Sequence, residues 1–476
     1  MKFHRRAGTV ALAVALVATL AVAAPASAAA PPAQATCVTD PATPKRQFRA
    51  LWIASVQRLD WPSGTAVEAQ QAEYRDLLDY AVAQRMNAVV VQVRPTADAF
   101  WPSPYEPWSG YLTGVRGQDP GWDPLAFLVA EAHQRNLEFH AWFNPYRASM
   151  PASSAASTEA GGDIGKLAAG HPLQQHPDWA VVYPTGIPTQ TRLYYNPGIP
   201  AARKLVEDAI MDAVSRYDID GVHFDDYFYP YPVAGQVFDD AATFAQYGGG
   251  FSNLADWRRN NIDLLIQELG AQIKAIKPWV KFGISPFAVW RNKATDPEGT
   301  DTTAGVQTYD DLAADTRKWV REEWIDYIVP QVYWAGGFAP ADYNKIVPWW
   351  ADQVRGTHVH LYIGEATYKV GTSTQSPDWS DPQELSDHLA FDSAIPEVKG
   401  NIYFSAKDVR GRPPRRDHAA QQHLVHASGA HPGDAGSGLP CAAAGARGPR
   451  DADGRRRTGG VAADVERHHV VRDLPA

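Results

Sequence analysis

Cysteine is nearly absent from this chain: 476 residues include two, Cys37 and Cys441. A cysteine framework of the kind that staples small exported domains is therefore excluded, and stability must come from the size of a core. Long apolar runs are also scarce. The one present lies at the start, where Lys2, His4, Arg5 and Arg6 precede an Ala/Val/Leu stretch ending in Ala26-Ser27-Ala28. It is too short for a comfortable bilayer span and closes on the small residues of a secretory cleavage site, so residues 1–28 are expected to be a signal peptide. An extracytoplasmic protein without membrane insertion is expected. The Ala-Gln-Ala-Thr sequence before Cys37 lacks the pattern that precedes a lipid-modified cysteine.

Positive charge is in deficit as well. The formal net charge of -9 argues against a general binder of nucleic acid or anionic membranes, whose affinity rests on Lys and Arg contacts to phosphate. No GxGxxG turn follows any expected strand, which disfavours an open nucleotide-binding sheet, and no cofactor is expected. What the chain has in quantity is aromatic side chains: 16 Trp, 20 Tyr and 16 Phe, enough for a large core or a sugar-binding cleft.

Residues 29–46 are rich in Ala, Pro and Thr and read as a flexible leader. Eight short apolar segments then recur, at 49–56, 87–95, 137–145, 221–227, 280–287, 327–334, 357–366 and 400–408, separated by amphipathic helical patterns. Strands alternating with helices pair in parallel, because a parallel crossover needs a long connection. Eight such units over residues 47–410 predict an α/β fold, the (β/α)8 TIM barrel, with long loops on its active face. The segments 96–122, 146–196 and 228–253 follow strand ends and carry Trp101, Tyr105, Trp108, Tyr111, Tyr183, Tyr194, Tyr195, Phe228, Tyr229 and Tyr231. These aromatics serve either a substrate cleft or satellite cores beneath the loops.

Residues 411–476 differ in kind. They contain no Trp, Tyr, Phe, Ile, Asn or Lys and cannot bury a core, so they read as a disordered tail or a frameshifted one. Moving GC-rich codons by one base restores Trp and Tyr in a strand-like pattern resembling part of a fibronectin-type III module.

Alternation along each strand sorts side chains between lumen and helix layer. His223, Asp225 and Tyr227 share one face of the fourth strand, opposite Val222 and Phe224. The same sorting sends Gln92, Arg94, His140, Asn144, Ser285, Gln331, Tyr333, His360 and Tyr362 inward. Polar groups converging at strand ends are what a site needs, since a packed core penalises unpaired ones. Glycosidic hydrolysis typically requires two carboxyl groups. Asp225 is the first candidate, with Arg94 and His223 expected to keep it ionised. For its partner, Asp98 in RPTADAF ranks ahead of Asp226, which alternation turns away, and of Glu365, which alternation places outside unless the strand bulges after Gly364. Arg94, His140, Asn144, His223, Tyr227, Gln331, Tyr333, Glu365 and Trp101 are expected to bind substrate. A metal-dependent deacetylase built on His223, Asp225 and His140, and a barrel that binds glycan without cleaving it, remain alternatives; no metal is expected on the first reading.

The strings RALWIASVQRLDWPS, VVVQVRPTADAFWPSPYEPWSGYLTG, EFHAWFNPYR, YYNPG, DGVHFDDYFYPYP, FGISPFAVWRN, IDYIVPQVYW and IYFSAKD together resemble the bacterial glycosyl-hydrolase-like barrel family distantly related to glycoside hydrolase family 10. The resemblance covers residues 47 to about 409. It implies a TIM barrel, export, glycoside hydrolysis, and action on peptidoglycan glycan strands stripped of their peptides. On the matching motifs it implies Asp98, Asp225 and Asp226 as site carboxylates, without saying which is acid and which is nucleophile.

Overall fold

The computed structural model describes residues 47–410 apart from 153–156 and 374. The expected signal peptide, leader and tail lie outside the described residues. In chain order the framework runs β1 (Phe48–Ile53), α1 (Val67–Ala83), β2 (Ala88–Arg94), α2 (Pro124–His133), β3 (Glu138–Phe143), β4 (Ala180–Tyr183), β5 (Arg192–Tyr195), α3 (Pro200–Arg216) and β6 (Gly221–Phe224). It continues through α4 (Leu254–Ile276), β7 (Lys281–Ile284), α5 (Thr316–Arg321), β8 (Tyr327–Ile328), α6 (Tyr343–Val354), β9 (His360–Ala366), α7 (Glu384–Ser393), β10 (Val398–Phe404) and α8 (Ala406–Arg410). Eight strands, β1, β2, β3, β6, β7, β8, β9 and β10, close a barrel in which every neighbouring pair is parallel. This is the (β/α)8 TIM barrel that the segment cadence predicts.

Four of the connecting helices, α2, α4, α5 and α6, start where a side chain satisfies a free N–H group. The Asp123 carboxylate accepts from the Ala126 N–H ahead of Pro124, and the Asn253 side chain accepts from the Asp256 N–H at the start of α4. Along α4, Trp257, Ile262, Leu265, Ile266, Leu269 and Ile273 are buried, a helical stripe turned to the strands.

Two apolar clusters show the sorting by alternation. Phe48, Ala50, Trp52, Val90, Trp142, Tyr327, Tyr362 and Ile402 pack together inside the barrel. Leu51, Ile53, Val89, Val91, Phe139, Val222, Phe224, Leu361 and Ile363 belong to the layer shared with the helices. The interior is filled by rings, with Phe48 stacked on Tyr362 at 4.4 Å and His223 on Tyr327 at 5.9 Å. Space for them comes from two glycines: a Cβ on Gly283 would lie 2.0 Å from the Tyr327 ring, and one on Gly221 would lie 2.6 Å from the His140 ring.

One element departs from expectation. Within the loop 146–196, β4 and β5 form an antiparallel hairpin, with Ala180 opposite Tyr195 and Tyr183 opposite Arg192. Tyr183, Tyr194 and Tyr195 are buried there, as are Phe228 and Tyr229 in the next long loop, so these aromatics build satellite cores beneath the active face. Tyr105, Trp108, Tyr111 and Tyr231 keep exposed surface.

Candidate active site

Strand β6 ends at Phe224, and the chain then turns. Asp225 and Asp226 consequently both reach the mouth of the barrel, each more than nine-tenths buried. Alternation, which divides this pair, stops applying one residue before it. Asn144, just past β3, donates its Nδ2 to both Asp225 oxygens at 3.1 and 3.0 Å. Its Oδ1 accepts the Arg147 backbone N–H at 3.1 Å, which orients the amide so that its donor end faces the carboxylate. The Tyr227 N–H donates to Asp225 Oδ1 at 3.3 Å, and the Arg147 guanidinium lies 4.7 Å over the Tyr227 ring.

Burial raises the Asp225 pKa, against the pull of the Arg147 charge, the Asn144 amide and the Tyr227 N–H. The Trp142 indole N–H, which has no partner in bonding geometry, adds a weaker pull toward the charged form. Burial and then the Asp225 charge push Asp226 up to about 6, opposed by hydrogen bonds from the Tyr231 hydroxyl and Gln331. The two carboxyls differ in one respect that matters for chemistry. Asp225 has a cation beside it and an amide gripping both oxygens; Asp226 has the Asp225 charge as its neighbour. The arrangement can hold one carboxylate ionised and lend a proton from the other, which is the acid–base division that bond cleavage at an acetal requires.

Gln331 and Tyr333 complete the mouth. Gln331 Nε2 donates to the Ser285 carbonyl at 2.7 Å, and Tyr333 packs edge-on against Tyr368 at 6.0 Å with its hydroxyl raised in pKa by burial and by nearby Tyr368 and Asp226. Of the residues picked from the sequence, the structure thus gathers Asp225, Asp226, Asn144, Tyr227, Gln331 and Tyr333.

It separates the others. Asp98 turns back on its own loop, accepting the Thr96 N–H at 3.0 Å, and lines a water-sized space with Thr96, Trp108, Arg116 and His171. It shares no partner with Asp225 or Asp226. Arg94 is consumed by Glu106 through Nε at 2.6 Å and NH2, both side chains fully buried, and it also donates to the Asn144 and Pro145 carbonyls. It positions the Asn144 turn, and the cation beside Asp225 is Arg147 instead. His140 and His223 sit below the mouth with all ring nitrogens committed. The Tyr327 hydroxyl bridges the Nδ1 of each at 2.8 and 3.0 Å, His140 Nε2 meets Glu138 at 3.0 Å, and His223 Nε2 meets Ser285 Oγ at 2.9 Å and Trp52 Nε1 at 3.3 Å. Burial holds His223 well below the usual imidazole range, so it is neutral and supplies no charge to Asp225. These bonds also leave the metal-ligand arrangement of His140, His223 and Asp225 without free nitrogens. Trp101 is fully buried and donates to Asp212 at 2.8 Å. Glu365 follows strict alternation into the helix layer, where it accepts from Tyr343 at 2.8 Å and Asn401 at 3.0 Å and meets His388 at 3.2 Å.

The residues that sequence reasoning passed over are Arg147, Glu106 and Trp142. Trp142 shares its strand face with His140 and Asn144, so alternation already pointed it inward. Glu106 and Arg147 lie in loops, where no periodicity marks them.

Residues 47–381, which hold every residue of this mouth, match the family described as glycosyl hydrolase-like 10. The chain belongs to that family. Among curated relatives, glycosyl hydrolase YngK of Bacillus subtilis is 52% identical over 371 residues, 77% of this chain and 70% of that protein. Glycosyl hydrolase DigH of Escherichia coli is 42% identical over 370 residues, 75% of this chain and 82% of that protein. Among solved structures, the glycoside hydrolase domain of PgaB (BpsB) from Bordetella bronchiseptica aligns with a TM-score of 0.48 at 13% identity, covering 80% of this chain and 99% of that domain. In this glycosyl hydrolase-like barrel the carboxylate pair stands at the C-terminal end of the fourth barrel strand, on the face where TIM-barrel sites are built.

Proposed function

We propose that the protein is an exported glycoside hydrolase that cleaves O-glycosidic bonds in a bacterial cell-wall glycan, peptide-free peptidoglycan strands, with Asp225 and Asp226 as the reacting carboxyls. The observation that carries the reading is the buried pair itself, one member held by Asn144 beside Arg147 and the other with its pKa pushed up to about 6. Asp226 suits the role of proton donor to the leaving oxygen, and Asp225 that of the group that stays charged against the developing oxocarbenium. Membership of a glycosyl hydrolase-like family, and the names of the two relatives, support the reaction class. The cell-wall substrate is supported by the sequence resemblance and by the signal-like start of the chain. Incubating the purified protein with peptide-free peptidoglycan strands and measuring new reducing ends tests the proposal. Turnover is expected for the parent and loss of at least about a hundredfold for Asp225→Asn, the scale of a general acid–base contribution. Equal rates for parent and variant would remove Asp225 from the reaction, and retained glycan binding with no turnover by the parent would make the barrel a binding module.

A further inference from the structure

Tyr231, whose hydroxyl donates to Asp226, begins a line of half-buried rings that leads away from the carboxylates. Its ring lies 5.7 Å from Tyr227 and 6.2 Å from Phe287, and Phe287 lies 5.2 Å from Trp334, each pair meeting edge to face. Tyr231, Phe287 and Trp334 all pack against the main core from one side while retaining exposure on the other. The contrast with Phe228 and Tyr229 is direct: those rings, one turn away in sequence, are at most 3% exposed and have no surface to offer. An aromatic ring anchored on one side and open on the other is a platform for the apolar face of a pyranose ring, because it adds contact area at little cost in side-chain freedom. The line is continuous with Asp226, so its occupant is the chain whose bond Asp226 protonates.

We propose that Phe287 and Trp334 form a distal subsite for a pyranose unit of the same glycan strand, two or three units from the bond that is cleaved, so that the enzyme favours long strands. The inference rests on the proposed glycosidase reading. It assigns a function to two aromatics on the loops after β7 and β8 that touch neither carboxylate. Contacts to a remote sugar of this kind are made equally before and during bond cleavage, so they act on KM and leave kcat alone.

The test compares the full-length parent with Trp334→Ala, Phe287→Ala and Trp334→Phe on a peptide-free glycan disaccharide and octasaccharide. Removing either ring is expected to raise KM for the octasaccharide roughly three- to tenfold, the scale of an aromatic contact, with kcat held within about twofold. The disaccharide, with one unit on each side of the bond, is expected to show little change, and Trp334→Phe to keep most of the octasaccharide advantage. Equal losses on both lengths, a loss confined to kcat, or no change on either substrate would overturn the proposal. If the parent cleaves neither oligosaccharide, the glycosidase reading fails. Calorimetric binding of the octasaccharide to parent and Trp334→Ala then still decides the subsite: a weaker variant supports it, and equal affinities reject it.

Discussion

Replacing Asn144 with alanine separates the electrostatic account of this site from a purely steric one. The Asn144 amide is the principal hydrogen-bond donor to Asp225, reaching both oxygens from a turn held in place by Arg94 and Glu106. Hydrogen bonds to a charged group contribute about 1.5–3 kcal/mol, and one pKa unit corresponds to about 1.4 kcal/mol. Removing the amide therefore raises the Asp225 pKa further beyond the elevation that burial already imposes. If Asp225 acts as the ionised member, the ascending limb of the pH–rate profile moves to higher pH, and the lost activity returns as the pH is raised toward the new limb. The Arg147 N–H loses its acceptor at the same time, a cost of about 1 kcal/mol to the fold that a thermal melt would register. The assay is reducing-end release from peptide-free glycan strands across the pH range, parent beside variant. A profile with the parent's ascending limb and merely a lower plateau would refute the reasoning, since Asn144 would then place Asp225 without setting its charge.

Asp98→Asn is expected to leave turnover within a few-fold of the parent, because Asp98 closes its own turn on Thr96 and shares no hydrogen-bond partner with Asp225 or Asp226; a loss as large as that of Asp225→Asn in the same assay would return it to the site. Gly283→Ala should destabilise the barrel by about 3 kcal/mol, since its Cβ would meet the Tyr327 ring at 2.0 Å inside a packed lumen, and an unchanged melting temperature would contradict that packing. Asp392, bonded to Tyr343 and Asn401 behind β9, has its pKa pushed by burial to about 8. A carboxyl whose folded pKa is raised contributes stability that is complete below its unfolded pKa and is lost as the pH rises through 8. Asp392→Asn should therefore melt near the parent at pH about 4 and increasingly above it as the pH rises from there to about 8; a difference that does not vary with pH would disprove the assignment.

The eight barrel strands were legible because each is a short apolar run between amphipathic helices, and that cadence admits few closed topologies. Lumen and helix faces were legible too, down to Glu365, which alternation places outside and which the structure finds among Tyr343, His388 and Asn401. The β4–β5 hairpin was not. Its tyrosines read as loop aromatics because an antiparallel pair of four residues each carries too little pattern to stand out.

The carboxylates show where the two kinds of information part. Sequence periodicity determined the barrel, the face of each strand residue, and the gathering of polar groups at the strand ends, because these follow from local geometry repeated along the chain. It could not assign height within the lumen, so His140 and His223 stood beside Asp225 on paper while in the fold they spend their nitrogens on Tyr327 below it. Nor could it say which charges are already taken. Arg94 is neutralised by a glutamate twelve positions on in a loop, Arg147 is left to act on Asp225, and the end of β6 one residue early turns Asp226 into its partner. Pairing of buried charges depends on which groups the loops bring within a few ångströms, and only the closed tertiary structure decides that.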